Sequence, residues 1–466
     1  MNEFITLMKP ELLLMAMIFI LLISKLGVGF NQSNLMKLIQ GMLLINFIAG
    51  FFMNGEGQLF DNMYHTSSLI VLEKNILNLG MVLISFLFTD WFKKCDHLAE
   101  VFVLMLTALL GMFYMISSGN LLMFYLGLEM ATIPVAAAAT FNLEKKVSSE
   151  AAMKMILSSA FSSGIMLFGI SLIYGAMGTL DFSEIPALLN GDSLQVMAFI
   201  FLFTAFAFKM SVVPFHLWTA DVYEGSPIGI TAFLSVISKG AIAFVFVSTL
   251  YKVFQPFHEI WYNMIMVLSV MTMLVGNLFA LRQQNIKRFL AFSSIAQVGF
   301  ILIGVSSNSI QGATSVIYFV LVYIFSNLAA FGVAGLVSFF TGKENIDDYK
   351  NFYKTNPLLS WIFALALFSL SGIPPTAGFF GKLFLLTSGA SNGNYAFLII
   401  AALNMMISLF YYLKVVRAMF MDKNENPILP IQINFATKIA LFVCGGGIVL
   451  AGFFGFVFDY IQALVK

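Results

Sequence analysis

The sequence has very little charge. Only 10% of its 466 residues are Asp, Glu, Lys or Arg, whereas 60% are hydrophobic, and the mean hydropathy is +0.93. Soluble proteins carry charge on roughly a quarter of their residues. The composition therefore excludes an ordinary soluble domain and predicts an integral membrane protein. The formal net charge of +1 also argues against nucleic acid as a partner.

Cysteine is nearly absent as well. The two cysteines, Cys95 and Cys444, lie far apart, in a short loop and in an apolar helix. That spacing supports neither a disulfide framework nor an iron–sulfur cluster. The sequence also lacks a phosphate-binding loop, an HExxH motif and a paired-cysteine metal site. We therefore expect neither cofactor nor metal in this chain, so any redox chemistry would take place in another chain.

Long apolar runs are abundant. They recur along the whole chain, and each is long enough, at about 18 to 25 residues, to cross a hydrocarbon core of roughly 30 Å as a helix. The runs are continuous rather than alternating, which excludes a barrel. We predict an all-α polytopic membrane protein with about 14 transmembrane helices. The first is a retained helix, because the N-terminus lacks the basic leading region and cleavage site of a signal peptide.

Positive charges in the loops predict the orientation. Lysine and arginine collect in the odd-numbered loops, and the opposite side has little beyond Lys9, Lys252 and Lys466. Positive charge is enriched on the cytoplasmic side of membrane proteins. We therefore expect both termini on the non-cytoplasmic side.

A weak internal repeat aligns FKMSVVPFHLW (208–218) with FSLSGIPPTAG (368–378). Each unit has about five helices, and an odd number of crossings inverts the second copy, as in many secondary transporters. We predict four parts: an N-terminal three-helix segment (1–97), a first repeat of helices 4–8 (98–252), an inverted second repeat of helices 9–13 (253–422) and helix 14 (423–466).

Prolines interrupt predicted helices 7 and 12 at corresponding repeat positions, at Pro214 and at the pair Pro374 and Pro375. A proline removes a backbone donor and frees a carbonyl one turn earlier. In a membrane such breaks are tolerated where they line protein or a water-filled cavity. A packing kink explains a single proline equally well, but two breaks at matched places favour a hydrated path.

Ionisable residues near the middle of predicted helices are a stronger signal. Each costs roughly 2.5–3.5 kcal/mol to insert at a helix centre. A buried lysine holds or releases a proton according to the charge beside it, so several joined by water would conduct protons. Local ion pairs or snorkelling are the alternative. The candidates for proton translocation are Glu129, Lys209, Lys239 and Lys382.

Other polar residues are weaker candidates. Lys154 lies only about a turn inside its predicted helix, where snorkelling explains it nearly as well as function does. His216, beside the first break, can relay protons near neutral pH or cap freed carbonyls. We expect Asp221 and Glu224 to be solvated at the membrane interface.

Five segments carry a resemblance to a known family: YLGLEMATIP (125–134), FKMSVVPFHLWTADVYEGSP (208–227), SKGA (238–241), NIKRFLAFSSIAQVG (285–299) and SGIPPTAGFFGKLFL (371–385). On these segments the chain resembles the antiporter-like membrane subunits of respiratory complex I, over most of its length. Within that family, its DVYEGSP sequence and the absence of a stretch for a long lateral helix after helix 14 fit one of the smaller subunits.

The resemblance implies fourteen transmembrane helices, inverted repeats, and translocation of one proton by a non-redox subunit of bacterial NADH:quinone oxidoreductase in the inner membrane. Flavin, iron–sulfur clusters and quinone would belong to partner subunits. The neighbours would include antiporter-like subunit M and small subunit K. Carried over by motif, Glu129 and Lys209 would tune the channel as a pair, Lys239 would be the central relay, and Lys382 the exit-side lysine.

Two positions depart from the family pattern. Gln297 stands where many relatives have histidine, and Ala220 where proline is usual. Glutamine bonds water but cannot take a proton, so we expect the path near helix 10 to rely on water or on Lys287. Two alternative functions stay open: a stand-alone Mrp-type cation/proton antiporter, and a structural spacer whose lysines only pair locally.

Overall fold

A computed structural model describes residues 2–27, 31–53, 55–141, 146–391 and 393–466. In this part of the chain helices dominate, and the one sheet is an antiparallel hairpin of β1 (Gly57–Leu59) and β2 (Tyr64–Thr66). The helices before the first break are α1 (Asn2–Leu7), α2 (Lys9–Gly27), α3 (Gln32–Gly50), α4 (Ser68–Leu87), α5 (Thr89–Lys93), α6 (Leu98–Ile116), α7 (Leu121–Ala138), α8 (Lys146–Met177), α9 (Ile185–Leu188) and α10 (Ser193–Met210).

The later helices begin with α11 directly after that break. They are α11 (Leu217–Gly225), α12 (Ile228–Phe233), α13 (Lys239–Ser248), α14 (His258–Arg282), α15 (Ile286–Ser306), α16 (Ile310–Thr341), α17 (Phe352–Thr355), α18 (Pro357–Ser371), α19 (Ala377–Ala390), α20 (Tyr395–Phe420), α21 (Phe435–Phe453) and α22 (Phe456–Val465). Turns of π-helix (Leu234–Ser238, Thr249–Val253) flank α13, and two short 3₁₀ segments are Gln255–Phe257 and Ile346–Tyr349.

Eleven of the described helical segments are long and apolar enough to cross a membrane. The apolar helices α18 and α19 are shorter and follow one another across the second break. The predicted all-α multi-pass membrane fold is confirmed. The count of fourteen, the inverted relation of the repeats and the four-part division stay predictions.

Burial separates inner helices from outer ones. The most apolar stretches of α15, of the segment Ile228–Val253 and of α16 are 100%, 94% and 89% buried within the chain, whereas that of α20 is 33% buried. Helices that are apolar all round and fully enclosed form the core of a bundle. This core contains Lys239 and lies beside Lys382, so the candidate residues belong to the inside of the molecule.

Both predicted helix breaks are confirmed, and they have the same local geometry. Helix α10 ends where Ser211 adopts the left-handed conformation (φ 65°), and α18 ends where Gly372 does so (φ 86°). In each case the following amide reaches back across the turn, from Val212 to the Ala207 carbonyl (2.8 Å) and from Ile373 to the Phe368 carbonyl (3.0 Å). This is a Schellman-type helix end, which satisfies carbonyls that the break would otherwise leave unpaired.

Candidate functional site

Lys209 lies in the last turn of α10, just before the first break. Its ammonium donates to the hydroxyls of Thr132 on α7 and Ser159 on α8, both at 2.7 Å. The carbonyl end of a helix is the negative end of its dipole and favours a cation. The charge of Lys209 is therefore stabilised by two hydroxyls and a helix terminus.

The backbone of the first break is held by side chains. The Val213 amide donates to Thr272 Oγ1 (3.0 Å), and Trp218 Nε1 donates to the Phe208 carbonyl (3.2 Å). Backbone groups freed within a membrane need such partners. The break beside Lys209 is thus a defined feature of the bundle, with most of its polar groups satisfied by protein.

A small cavity lies beside Lys209. It has a volume of about 20 Å³, and Lys209, Thr132 and Ser159 line it together with Ser238, the residue before Lys239. A cavity of roughly 10–15 Å³ or more can hold a water molecule when polar groups line it. One water would therefore fit beside Lys209.

Lys239 begins α13 immediately after the π-helical turn, and it is only 3% exposed. Its ammonium donates to Ser294 Oγ on α15 (2.7 Å) and lies 5.5 Å from the centroid of the Tyr223 ring. Turns of π-helix occur often at functional sites, and an aromatic face attracts a cation. Lys239 thus has a hydroxyl and a π-face as its partners.

Lys382, on α19, is fully buried at the second break. Its ammonium folds back to the carbonyl end of α18 and donates to Leu370 (2.7 Å) and Ser371 (3.4 Å), with the Phe300 ring centroid 4.6 Å away. Both breaks therefore have a lysine at the C-terminal, carbonyl end of the helix before the break. Lys209 is part of that helix, α10, whereas Lys382 is on α19, after the break, and its side chain extends back to α18.

Gln297 occupies the space between α15 and the second break. Its amide donates to the Leu370 carbonyl (2.9 Å) and to the Tyr412 hydroxyl (3.1 Å). Lys287 lies ten residues earlier on the same helix, about 15 Å along the axis, and its ammonium pairs with Glu344 at 2.5 Å. The structure does not bring Lys287 to Gln297, and the partner of Gln297 is Tyr412 instead.

The Glu344 carboxylate lies in the loop after α16. It accepts from Lys287 and from the Ser338 hydroxyl (2.6 Å). Burial raises the pKa of this carboxyl, but attraction to the Lys287 ammonium and the hydrogen bonds outweigh burial and hold the pKa below its ordinary value. Lys287 and Glu344 are thus an ion pair at the end of a helix.

Glu129 does not touch Lys209. The two form no ion pair, although Glu129 lies three residues before Thr132 on α7 and so on the same helix face as this partner of Lys209. One carboxylate oxygen of Glu129 is buried with no hydrogen-bond partner among the described residues. Buried polar atoms of this kind mark strain, function or a water site. The role of Glu129 as partner of Lys209 stays a prediction.

Asp221 and Glu224 are ion-paired, so the expectation that they are simply solvated is wrong. Lys154 donates to Asp221 (2.6 Å) and to Glu150 (2.7 Å), while Arg288 on α15 donates to Asp221 (2.8 Å) and to Glu224 (2.7 Å). These residues are partly exposed at one end of the bundle. Lys154 therefore turns toward Asp221 rather than toward Lys209.

His216 lies within the first break, directly before α11. It is buried, and its Nδ1 has no hydrogen-bond partner among the described residues. Its ring also interacts with the Pro214 carbonyl of the break, so the relay and the capping interpretations both stay predictions.

A second buried cluster escaped the sequence analysis. Lys74 on α4 donates to Glu11 on α2 (2.5 Å), and the Tyr64 hydroxyl of the hairpin donates to the other oxygen of Glu11 (3.0 Å). The side chains of the pair are 1% and 0% exposed. The sequence does contain a signal of the kind that selected Lys209, because Glu73 and Lys74 lie inside an apolar run (VLEKNIL, 71–77). These two residues lie near the end of their predicted helix rather than at its middle.

The lysines divide into two groups by their partners. Those paired with a carboxylate are Lys25, Lys74, Lys154, Lys287 and Lys350. Those bonded only to hydroxyls or carbonyls, among the residues that the structure describes, are Lys209, Lys239 and Lys382. A buried charge without a counter-ion has no Coulombic gain to offset its desolvation. Lys239 and Lys382 can therefore release a proton without leaving a buried carboxylate unpaired, whereas the charge of Lys209 is also attracted by the nearby Glu129 carboxylate.

Comparison with known proteins identifies the family. Residues 118–408 match the family model described as NADH:quinone oxidoreductase/Mrp antiporter, TM. NADH-quinone oxidoreductase subunit N of Phocaeicola vulgatus is 44% identical over 459 residues, which cover 98% of this chain and 97% of the relative. Subunit N of Azobacteroides pseudotrichonymphae is 42% identical over 467 residues, with 98% and 97% covered.

Solved structures share the fold. A chain of respiratory complex I from Thermus thermophilus superposes with a TM-score of 0.82 at 26% identity, over 95% of this chain and 96% of that one. A chain of the Mrp complex from Dietzia sp. has a TM-score of 0.86 at 19% identity, over 98% and 96%, which shows a common fold only. Because the similarity to subunit N extends over nearly the whole sequence, the chain belongs to the NADH-quinone oxidoreductase subunit N family.

Proposed function

We propose that this chain is the subunit of a bacterial NADH:quinone oxidoreductase that moves protons across the membrane while electron transfer takes place in other subunits. It would be a non-redox part of a proton-translocating translocase. The observation that carries the proposal is a set of three lysines whose hydrogen-bond partners are neutral: the partly buried Lys209 and the buried Lys239 and Lys382.

The partners of these lysines suit both protonation states. A hydroxyl accepts from an ammonium and can donate to the lone pair of a neutral amine. Thr132 and Ser159 can therefore partner Lys209 before and after it loses a proton, and Ser294 can do the same for Lys239. At Lys382 the carbonyl partners only accept. A neutral amine keeps two N–H donors for them, so its lone pair is left to take the next proton.

The proton would pass along the buried lysines in spatial order. Glu129 lies on α7, three residues before Thr132, which is a partner of Lys209. A change in the charge of Glu129 would control when Lys209 releases its proton. The cavity between Lys209 and Ser238 would hold a water that carries the proton to Lys239. Lys382 would then pass it to the exit. His216, within the first break, and Lys154, which is paired with Asp221 on α11, would assist entry of the proton.

The proposed setting is the bacterial inner membrane, with both termini on the non-cytoplasmic side. The chain would assemble with the other membrane subunits of the complex, notably the neighbouring antiporter-like subunit M and the small subunit K. Flavin, iron–sulfur clusters and quinone would be bound by partner subunits. Energy from their redox chemistry would reach this chain through its contacts with those neighbours.

A stand-alone cation/proton antiporter is the second candidate, and the fold shared with the Mrp complex favours it. The sequence relatives at 42–44% identity favour the oxidoreductase instead. The two differ in what the isolated chain does. An antiporter chain would exchange Na⁺ or K⁺ for protons in liposomes by itself, whereas we expect this chain to show no such exchange outside the complex.

Replacing Lys239 with alanine tests the proposal. We expect the complex to assemble, but to translocate fewer protons per NADH oxidised in liposomes, because the central lysine is lost. Lys414→Ala removes an exposed lysine of α20 and is the matched control, which should pump normally. Normal proton translocation by Lys239→Ala would refute the proposed route.

A further inference from the structure

Tyr412, on α20, lies at the centre of a polar series inside the bundle. Its hydroxyl is 2.5 Å from Ser293 Oγ on α15 and accepts from Gln297 Nε2 at 3.1 Å. Ser293 precedes Ser294, the partner of Lys239, on α15. The Tyr323 side chain interacts with Ser294 and lies near Tyr412, so it links the surroundings of Lys239 to those of Tyr412.

From Tyr412 the polar series continues through Gln297 to the second break. The Gln297 amide donates to the Leu370 carbonyl (2.9 Å), and that carbonyl also accepts from Lys382 (2.7 Å). All the side chains of the series are buried, with exposures of 0–3%: Lys239, Ser293, Ser294, Gln297, Lys382 and, fully enclosed, Tyr412. Polar side chains this deep in a bundle are costly unless they are bonded or used.

Gln297 cannot itself pass a proton, because an amide does not titrate. Its Nε2 is fully engaged by the Tyr412 hydroxyl and the Leu370 carbonyl, and its Oε1 is buried without a partner among the described residues. A buried acceptor of this kind can accept a hydrogen bond from a water molecule. Of the groups bonded to Gln297, only the Tyr412 hydroxyl has an exchangeable proton.

We propose that the Tyr412 hydroxyl passes protons between Lys239 and Lys382, and that Gln297 is a positioning residue that orients this hydroxyl and holds a water beside it. The inference rests on the proposed function, since it concerns the route between two lysines of that function. It assigns to a tyrosine the step that a histidine at position 297 would otherwise perform.

The step conserves atoms and charge. The Tyr412 oxygen accepts a proton from the side of Ser293 while its own proton leaves through water toward Lys382, so one O–H bond forms and one breaks. Lys239 changes from ammonium to amine, and Lys382 from amine to ammonium. Tyr412 is neutral before and after the transfer, and its hydroxyl then rotates back.

The test compares variants of the intact complex reconstituted in liposomes. Tyr412→Phe removes the hydroxyl and keeps the ring, and we expect proton-coupled quinone reduction to fall by about tenfold or more, since positioned proton-transfer groups contribute roughly 10²–10⁴-fold. Gln297→His in the Tyr412→Phe background should recover much of the rate, because it returns a titratable group to the route. A purely structural role for the hydroxyl would not be restored in this way.

Tyr318→Phe is the matched control. Tyr318 is a buried tyrosine of α16 whose hydroxyl donates to the Ala451 carbonyl (2.7 Å), outside the series, so its variant should pump normally. Equal losses in both tyrosine variants, with no recovery by Gln297→His, would assign Tyr412 to packing and overturn the inference. Lys239→Ala, measured alongside, separates the two claims. Lost pumping in Lys239→Ala with normal pumping in Tyr412→Phe refutes only the tyrosine step, and normal pumping in Lys239→Ala refutes the proposed function.

Discussion

Lys74 and Lys239 are both buried, but their partners differ in kind. Lys74 meets the Glu11 carboxylate, whereas Lys239 meets a serine hydroxyl and an aromatic ring. A paired lysine and carboxylate keep each other charged, while a lysine with neutral partners can change its protonation state. The sequence shows both lysines inside apolar runs and does not distinguish them, because the distinction depends on residues distant in the chain.

The pair of Glu11 and Lys74 should be structural. Glu11→Gln leaves the Lys74 ammonium buried without a counter-ion, which costs roughly 3–5 kcal/mol. We expect a lower thermal unfolding midpoint of the purified complex, or loss of this chain from it. Glu11→Gln with Lys74→Met removes both charges and should recover most of the loss. A double variant as unstable as the single one would contradict the ion-pair explanation.

The pair of Lys287 and Glu344 predicts a pH dependence. Folding lowers the pKa of the Glu344 carboxyl below its ordinary value of 4.5, so its stabilisation is complete above that value and is lost as pH falls through the lower folded value. Glu344→Gln should cost about 1 kcal/mol near neutral pH, because the partly exposed pair is screened. The difference from wild type, measured by thermal unfolding, should shrink below pH 4.5. A difference that is constant with pH would contradict this.

At the scale of elements, the two helix breaks were predictable and their lysine contacts were not. Proline at 214 and at 374–375 marks both breaks in the sequence. That Lys382 turns back onto the carbonyls of Leu370 and Ser371 depends on how α19 packs against α18. The Arg288 contacts with Asp221 and Glu224 join residues more than sixty positions apart, for which hydropathy and motif patterns contain no signal.

The second break needs a glycine at position 372, because the backbone there is in the left-handed conformation. At φ 86° a side chain is strained, by about 1–2 kcal/mol, and an added Cβ would lie 3.2 Å from Lys382 Cδ. Gly372→Ala should therefore destabilise the break and reduce coupled activity, as measured by thermal unfolding and proton translocation of the complex. Gly446→Ala, in α21 with open space around its Cβ, is the control and should be neutral or slightly stabilising.

At the scale of the whole molecule, the three lysines with neutral hydrogen-bond partners follow one another along the chain, on α10, α13 and α19. Composition and hydropathy were enough to predict a helical membrane protein, whereas the site residues chosen by motif resemblance stay predictions. The proposed connections between the lysines, through Ser238, Ser294, Tyr412 and Gln297, use side chains that carry no charge. A search for ionisable residues does not find them.

The most direct test of the account is proton translocation by the intact complex in liposomes, compared between wild type and Lys209→Ala, with quinone reduction and assembly followed in parallel. We predict normal assembly, slower NADH-driven quinone reduction and fewer protons translocated, because Lys209 is the first lysine of the route. An unchanged number of protons per electron would show that Lys209 is structural, and would contradict proton conduction along these lysines.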